Sequence, residues 1–555
     1  MRAEHNRILL TSSAMAAADR RTIEEFGLPS FTLMEVAARG VTDAVVDALG
    51  DAAIDQAAVL VLAGKGNNGG DGLAVARQLH ERGADVFVVV LSGAADGSPE
   101  TQLNLSLLER LGDVDPSQGS PRDSAVLVLH RFDESLPIES ENARVRAAAA
   151  EWGPIDVCVD GLLGIGARGA LRDPVRSLAE LAAQARLVVA IDIATGIDSD
   201  TGERQGGGVH ADHTVTMAAT KPGHWLGAGP RGSGEVHVVD IGIPGHMLAS
   251  ALAEEGCATI AGEARIRELL ARMPRGEHKF QVGQAAIVAG SNRFSGALIL
   301  AARAACRVGA GYVVAATTER AATALDAQLP EVVALSFRAA EGGTLPGGAA
   351  PALKSELMRA RAVLIGPGLG YGLGDAPRVE IASLVGSLVS TLDVPLVLDA
   401  DGLNALDTED ALASVARRKA ATVLTPHPGE FARLKKAALA GREDERGLLP
   451  TSEAARWAKR LNSVLVLKGT PTIIASPDGR TFVAPESHPA LRTAGSGDVL
   501  AGMITGLLAQ GLEALDAAVV AMHLGLAAAD RACEQRDPES VVASDVLECV
   551  RMTPR

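Results

Sequence analysis

The stretch Val61-Leu62-Ala63-Gly64-Lys65-Gly66-Asn67-Asn68-Gly69-Gly70-Asp71-Gly72 decides how the first half of the chain is read. It closes a short apolar run, Ala58–Ala63, and opens an amphipathic run, Gly72–Arg82. An apolar run ending on glycines and giving way to a helical pattern is the turn of an α/β unit, which predicts parallel strands. Glycines there permit positive φ and let backbone approach a ligand closely. The helix start beyond them offers free N–H groups to an anion. Asn67, Asn68 and Asp71 add side-chain oxygens, a donor set suited to a hard cation or to sugar hydroxyls. The spelling differs from the dinucleotide fingerprint. A tight Asn-Gly turn without a ligand is the plain alternative.

Working outward, Asp85–Leu91, Val157–Asp160, Leu187–Ile191 and Thr214–Met217 read as further strands, with a helical pattern over Pro174–Ala185. Asp160 ends its run and leads into Gly161-Leu162-Leu163-Gly164-Ile165-Gly166-Ala167-Arg168-Gly169; Asp192 follows Ile191 and leads into Ile193-Ala194-Thr195-Gly196. One such Asp is more often a helix cap. Three polar strand ends flanked by glycines point to one crevice, because doubly wound sheets bind ligands beyond the carboxyl ends of their strands.

The chain is 555 residues long, enough for at least two domains of ordinary size. Near Gly242-Ile243-Pro244-Gly245 the alternation halts, and an Ala/Glu-rich segment runs to about Arg275. The expected division is therefore 1–247, a connecting segment 248–276, and 277–555. In the last part Ala285–Ala289, Tyr312–Ala316, Ala362–Ile365, Leu396–Leu398, Thr422–Leu424, Val464–Leu467 and Thr472–Ile474 read as strands. Gly342–Pro351 and Pro99–Pro121 read as surface loops.

Lys and Arg number 52 against 68 Asp and Glu, a net charge of −16, and aromatics are 3%. That balance speaks against a general nucleic-acid or anionic-membrane binder, which needs clustered cations and stacking platforms. No run approaches the 18 or so apolar residues of a membrane span. Ile8–Ala18 is interrupted by Thr11, Ser12 and Ser13 and makes a poor signal peptide. Five scattered cysteines without CxxC spacing suggest reduced thiols, and a cytoplasmic location is expected.

In the second half the string Thr493-Ala494-Gly495-Ser496-Gly497-Asp498 precedes an Ala/Leu/Gly helix. Its N–H groups would form an anion hole, with Asp498 placed as a base for a hydroxyl during phosphoryl transfer. A capping Asp is the plain alternative. Upstream, Lys468-Gly469-Thr470-Pro471-Thr472 ends an apolar run and could hold nucleotide phosphates, although a strand-terminal Lys is usually only solvated.

The chain from Met15 to about Pro244 resembles the NAD(P)H-hydrate epimerase domain through Gly64–Gly72, Leu33-Met34-Glu35, Val159–Gly164, Asp192–Asp198 and Thr220-Lys221-Pro222-Gly223. Residues 277–555 resemble the ADP/ATP-dependent NAD(P)H-hydrate dehydratase domain, which has a ribokinase-like fold. The matches are His278-Lys279, Gly290-Ser291, Ser295-Gly296-Ala297, Gly366–Gly370, Asp399–Asn404, Thr425-Pro426-His427-Pro428-Gly429-Glu430 and Gly495–Asp498. The first resemblance implies a Rossmann-like doubly wound sheet. Its substrates are hydrated NADH and NADPH (NADHX and NADPHX), interconverted between R and S epimers. Asn67, Asn68, Gly69, Gly70, Asp71, Gly164, Ile165, Gly166, Ala167, Arg168, Gly169, Ala170 and Asp192 would contact the hydrate. Asn68, Asp160 and Thr195 would ligate K+, although the family usually has Pro-Ser where this chain has Ala194-Thr195.

Epimerisation requires loss and return of water through an iminium, and Asp160, in preference to the alternative Asp71, is expected to shuttle the proton. The second resemblance implies dehydration of the S hydrate with ADP and Mg2+, giving NAD(P)H, AMP and phosphate. Asp498 would be the base, while Ala297, Gly368, His427 and Asp498 would contact the hydrate. Lys468, Gly469, Thr470, Pro471, Thr472 and Gly497 would bind the nucleotide. A homo-oligomer is expected. The competing readings are a ribokinase-like sugar or vitamin kinase fused to a ligand-binding domain, and a first domain that is a sensing module with a vestigial pocket.

Overall fold

A computed structural model describes residues 8–50, 53–91, 97–112, 125–204, 206–273, 278–439, 447–484 and 488–552. The chain divides into two compact units, Met1–Ala258 and Thr259–Arg555. The stretch 248–276 contains the end of a helix, Gly245–Leu252, then a strand, Ala258–Ile260, and a second helix, Glu263–Ala271; residues 274–276 lie outside the described residues.

The first unit holds β1 (Ala58–Ala63), β2 (Asp85–Leu91), β3 (Leu127–Phe132), β4 (Ile155–Gly161), β5 (Ala185–Ile191), β6 (His213–Met217) and β7 (Glu235–Val239). They form one parallel sheet in the order β3-β2-β1-β4-β5-β6-β7. The order reverses between β1 and β4, which is the switch point of a doubly wound fold. Apolar residues of the central strands are buried on both faces. Val59, Val61, Val157 and Val159 pack on one side, and Leu60, Leu62 and Cys158 on the other. Such strands read as continuous apolar runs, which makes them visible in the sequence. The edge strands β3 and β7 are not, because His130, Arg131, Glu235 and His237 interrupt their half-exposed patterns.

The helix after β1, α1, spans Asn67–His80 and starts five residues earlier than the Gly72 expected from the pattern. Its glycines are packed rather than looped. A Cβ on Gly69 would stand 2.0 Å from the Gly64 carbonyl oxygen, and one on Gly64 would stand 1.9 Å from that of Leu162. Pro99–Pro121 also departs from the expected loop: Pro99–Gly112 is helical, and 113–121 lies outside the described residues. In the second unit, Gly342–Pro351 contains a 3₁₀ turn, Gly347–Ala349, and the start of a helix, Ala350–Leu357.

The second sheet comprises β8 (Ala258–Ile260), β9 (Gln284–Val288), β10 (Tyr312–Thr318), β11 (Val333–Phe337), β12 (Ala362–Ile365), β13 (Leu396–Leu398), β14 (Thr422–Leu424), β15 (Val464–Leu467), β16 (Ile473–Ala475) and β17 (Thr481–Val483). Their order is β8-β17-β16-β15-β14-β13-β12-β9-β10-β11. The pairs β15–β16 and β16–β17 are antiparallel, an exception to the parallel expectation. Three helices, α2 (Ser295–Arg307), α3 (Ser496–Ala509) and α4 (Ala514–Cys533), bury an Ala- and Leu-rich core on one face of the sheet. Small side chains let α2 and α3 approach closely: a Cβ on Gly502 would stand 2.2 Å from the Ala301 carbonyl oxygen.

Candidate functional sites

In the first unit a cavity of about 940 Å³ opens beyond the carboxyl ends of β1, β4 and β5. Asn67, Asn68, Asp71, Gly164, Ile165, Gly166, Ala167, Arg168, Gly169, Ala170 and Asp192 all line it, together with Asp19, Met34 and Lys221. Gly69, Gly70, Asp160 and Thr195 do not. Gly69 and Gly70 let α1 pack: a Cβ on Gly70 would meet Thr101 Oγ1 at 2.6 Å and Met34 Cε at 2.9 Å.

Asp160 lies behind the wall with no solvent exposure. Its carboxylate accepts hydrogen bonds from Thr195 N (2.8 Å), Thr195 Oγ1 (2.8 Å) and Leu162 N (3.2 Å). Burial pushes its pKa up to about 6 against those bonds, which favour the ionised form. Asp160, expected to carry a proton to and from the hydrate, is thus set behind the cavity lining, whereas Asp71 and Asp192 are part of it. Thr195 Oγ1 accepts from Leu163 N at 3.2 Å, and Asn68 Nδ2 donates to the Leu163 carbonyl at 2.9 Å. Asn68, Asp160 and Thr195 therefore gather at one loop and offer carboxamide, carboxylate and hydroxyl oxygens, a hard donor set.

Two carboxylates that face the cavity are tuned in opposite directions. Burial, reinforced by Asp192 and Asp19, holds Asp71 well above the usual carboxylate range. Burial also opposes ionisation of Asp192, but the Lys221 ammonium and the Thr216 hydroxyl hold it below that range. Lys221 Nζ donates to Asp192 Oδ1 at 2.5 Å and to Thr216 Oγ1 at 2.7 Å. Asp192 adopts φ 65°, an uncommon conformation for a residue with a side chain. His224 fixes it there: its Nδ1 accepts from Lys221 N at 3.1 Å, and its Nε2 donates to the Asp192 carbonyl at 2.9 Å. Burial and the neighbouring Lys221 push the His224 pKa down to about 4, matching that neutral tautomer. Sequence reasoning assigned no role to Lys221, His224 or Asp19. Lys221 carried a usable signal, a lysine just beyond a strand that ends beside the Asp192 strand; Asp19 carried none.

In the second unit the strand-end loops meet around a cluster of carboxylates. Lys468 Nζ lies 2.8 Å from Asp399 Oδ1 and 4.0 Å from Glu430 Oε2. Burial pulls the lysine pKa down, yet Asp399, Glu430 and Asp498 outweigh it and hold Lys468 above its ordinary value. Asp498 stands in the first turn of α3, behind Gly495 at φ 92°. Burial and the charges of Asp399, Asp401 and Glu430 outweigh Lys468 and raise Asp498 to about 7. A group at that pKa is poised to take a proton near neutrality.

Beside it, a cavity of about 200 Å³ is lined by Lys468, Gly469, Thr470, Thr472, Ser496 and Gly497, with Met503, Met522 and Leu526 at its apolar end. Pro471 is not among its walls, and neither are Ala297, Gly368, His427 and Asp498. Gly368 and Ala297 are neighbours, since a Cβ on Gly368 would stand 3.0 Å from that of Ala297. Asp401 fixes the same loop by accepting from Gly370 N at 2.7 Å. His427 is 52% exposed, 3.5 Å from Glu430, and its Nδ1 accepts from Gly429 N at 3.0 Å.

A glycine-cornered helix start beside Lys468, next to a carboxylate of near-neutral pKa, is an arrangement suited to phosphoryl transfer. Oppositely tuned carboxylates in a roomy crevice define a centre for proton transfer. The fold and sites are thus those of a two-centre enzyme. Residues 30–223 match the family described as YjeF-related protein N-terminus, and residues 285–551 match the NAD(P)H-hydrate dehydratase family. The bifunctional NAD(P)H-hydrate repair enzyme Nnr of Salinibacter ruber is 44% identical over 546 residues, covering 98% of this chain and 95% of that one. Its counterpart from Moorella thermoacetica is 34% identical over 541 residues, covering 97% and 95%. The crystal structure of ADP/ATP-dependent NAD(P)H-hydrate dehydratase from Bacillus subtilis, co-crystallized with ATP/Mg2+ and soaked with CoA, aligns at 27% identity and TM-score 0.40, covering 52% of this chain and 96% of that one.

The chain belongs to the bifunctional NAD(P)H-hydrate repair enzymes. It joins an epimerase domain to an NAD(P)H-hydrate dehydratase domain, and the hydrated forms of NADH and NADPH are repaired by the two together. Among the described residues no helix is long and apolar enough to cross a membrane.

Proposed function

We propose that Asp71 and Asp192 divide the work of epimerisation and that Asp498 is the base of an ADP-dependent dehydration. In the first centre, Asp71, whose buried carboxyl is biased toward its protonated form, donates to the C6 hydroxyl of the hydrate as water departs. The C6–O bond breaks and the N1 lone pair forms the iminium. Asp192, kept ionised by Lys221, faces that cation and stabilises it. Water adds to the opposite face of C6 and returns its proton to Asp71, which restores the starting state. The cavity walls Asn67 and Gly164–Ala170 orient the dinucleotide.

The hard donor set of Asn68, Asp160 and Thr195 fits K+. When bound there, the ion would supply positive charge that offsets the buried Asp160 carboxylate and steadies the loop running from Gly161 to Ala170.

In the second centre Asp498 takes the proton of the S hydrate's hydroxyl as that oxygen attacks the β-phosphorus of ADP, and AMP leaves. Phosphate is then expelled from C6 with loss of a C5 proton, which regenerates the reduced nicotinamide. Lys468 and the N–H groups of Gly495–Gly497 hold the phosphates, and Gly469, Thr470 and Thr472 line the rest of the nucleotide site. Asp399 and Glu430, which lie 2.8 Å and 4.0 Å from Lys468 Nζ, offer hard oxygens that would help hold Mg2+, and the ion would supply positive charge to offset that of the phosphates.

The position of Asp498, at a glycine-cornered helix start beside Lys468 and with a pKa near 7, carries this reading most directly. An Asp498→Asn variant incubated with mixed-epimer hydrate and ADP tests it. Nucleotide-dependent recovery of NADH should disappear while epimerisation continues. Recovery at the wild-type rate would remove Asp498 as the base.

A further inference from the structure

At the opposite end of the first sheet from the cavity, three side chains converge that neither activity uses. His213 is the first residue of β6, and Glu235 and His237 are the first and third of the edge strand β7. Parallel pairing sets His213 against Glu235 and Val215 against His237, so the three side chains project from one face. We propose that His213, Glu235 and His237 form a binding site for a divalent transition-metal ion of the Zn2+ class.

The geometry of the two rings carries the inference. His213 Nδ1 and His237 Nε2 point at one another across 3.1 Å, with ring planes 39° apart. Two imidazole nitrogens each about 2.0–2.1 Å from one ion, at angles between octahedral and tetrahedral, lie roughly 2.8–3.4 Å apart. The observed spacing falls inside that window. The carboxylate is the looser ligand, with Oε2 of Glu235 3.9 Å from His213 Nδ1 and Oε1 3.9 Å from His237 Nε2. Its side chain is 69% exposed and so has room to change rotamer toward an ion between the rings.

Among the described residues these ligand atoms all lie within 4.8 Å of one another. Two imidazoles and one carboxylate favour Zn2+, Ni2+ or Cu2+ over Mg2+ or K+, which prefer all-oxygen shells. The site is partly open to solvent, which gives the ion a path in and leaves a coordination position for water. Bound there, the ion would tie the edge strand β7 to β6, whose far end leads to Lys221. Without a metal, one N–H shared between the rings explains the same 3.1 Å contact, and the two readings separate in titration.

Full-length protein is titrated with ZnCl2 by calorimetry and, separately, with CoCl2 while visible d–d absorption is recorded. The wild type should bind one equivalent beyond that retained by a His213→Ala/His237→Ala variant, which allows for metal taken up by cysteines elsewhere. His237→Gln alone should weaken binding by about tenfold or more. It keeps the backbone pairing of β7 and serves if the double variant does not fold. The Co2+ absorption in excess of that shown by the double variant should be present in the wild type and require higher CoCl2 in His237→Gln. Retention of both repair activities in the variants shows that the fold survives. Equal stoichiometry and affinity in wild type and variants, or no Co2+ band in the wild type, would overturn the site and leave a proton-sharing histidine pair.

Discussion

The ammonium of Lys221 lies 2.5 Å from a carboxylate oxygen of Asp192 and is wholly shut off from solvent. Removing one partner from such a pair strands a buried charge, which costs about 3–5 kcal/mol. Lys221→Met should lower the unfolding midpoint of the first unit and raise the Asp192 pKa. Epimerisation should be lost, while nucleotide-dependent dehydration of the S hydrate persists. Separate assays of the two activities, with urea denaturation, check this. An epimerase of normal rate in Lys221→Met would show that the ion pair is structural only.

Asp71 and Asp160 differ in access rather than in chemistry. Asp71 lines the cavity, and Asp160 lies behind it. Asp71→Asn should reduce epimerase kcat by roughly 10²–10⁴-fold, the usual worth of a positioned general acid or base. Asp160→Asn should act through the cation site instead: the K+ dependence of epimerisation should disappear. Titrating KCl against both variants distinguishes these effects. Full activity of Asp71→Asn would return the proton-carrying role to another group.

Much of the architecture is legible in the amino-acid sequence. The central strands show as apolar runs because both faces are buried, and Gly64–Gly72, Gly164–Ala170 and Gly495–Asp498 show as glycine clusters, the first and last leading into helices and the second forming a loop beyond a strand end. The tuning of the site is not legible there. Lys221, His224 and Asp19 reach Asp192 and Asp71 only through tertiary packing, and a single lysine or histidine carries no signature of its partner. The orientation of Asp160 is hidden for a similar reason: a strand-terminal Asp reads the same whether its side chain faces the crevice or turns back onto Thr195.

Neighbouring glycines of the first motif should tolerate substitution very differently. A Cβ on Gly69 would collide with the Gly64 carbonyl at 2.0 Å, whereas one on Gly66 would meet nothing within 4 Å. Gly69→Ala should therefore destabilise the first unit by about 1–3 kcal/mol or more through overpacking. Gly66→Ala should leave the unfolding midpoint close to wild type, which thermal melts of the two variants will show.

The raised pKa of Asp498 sets a pH dependence for the second centre. The base must be deprotonated, so dehydratase kcat/KM should fall about tenfold per unit as pH drops below roughly 7. The same shift means the folded form binds the proton more tightly than the unfolded one, so this group's contribution to stability declines as pH rises from about 4 towards 7. Asp498→Asn, which should lack dehydratase activity, should flatten the stability trend and melt higher than wild type at pH 8. A stability profile unchanged by the substitution would assign the titration elsewhere.

The coupling of the two centres is tested most directly by product stoichiometry from an equimolar mixture of R and S hydrated NADH. With excess ADP, the wild type should return essentially all of the near-ultraviolet absorbance of NADH and release one AMP and one phosphate per hydrate consumed. Recovery that stalls when only the S form is spent, or accumulation of a stable phosphorylated hydrate in place of NADH, would contradict the account.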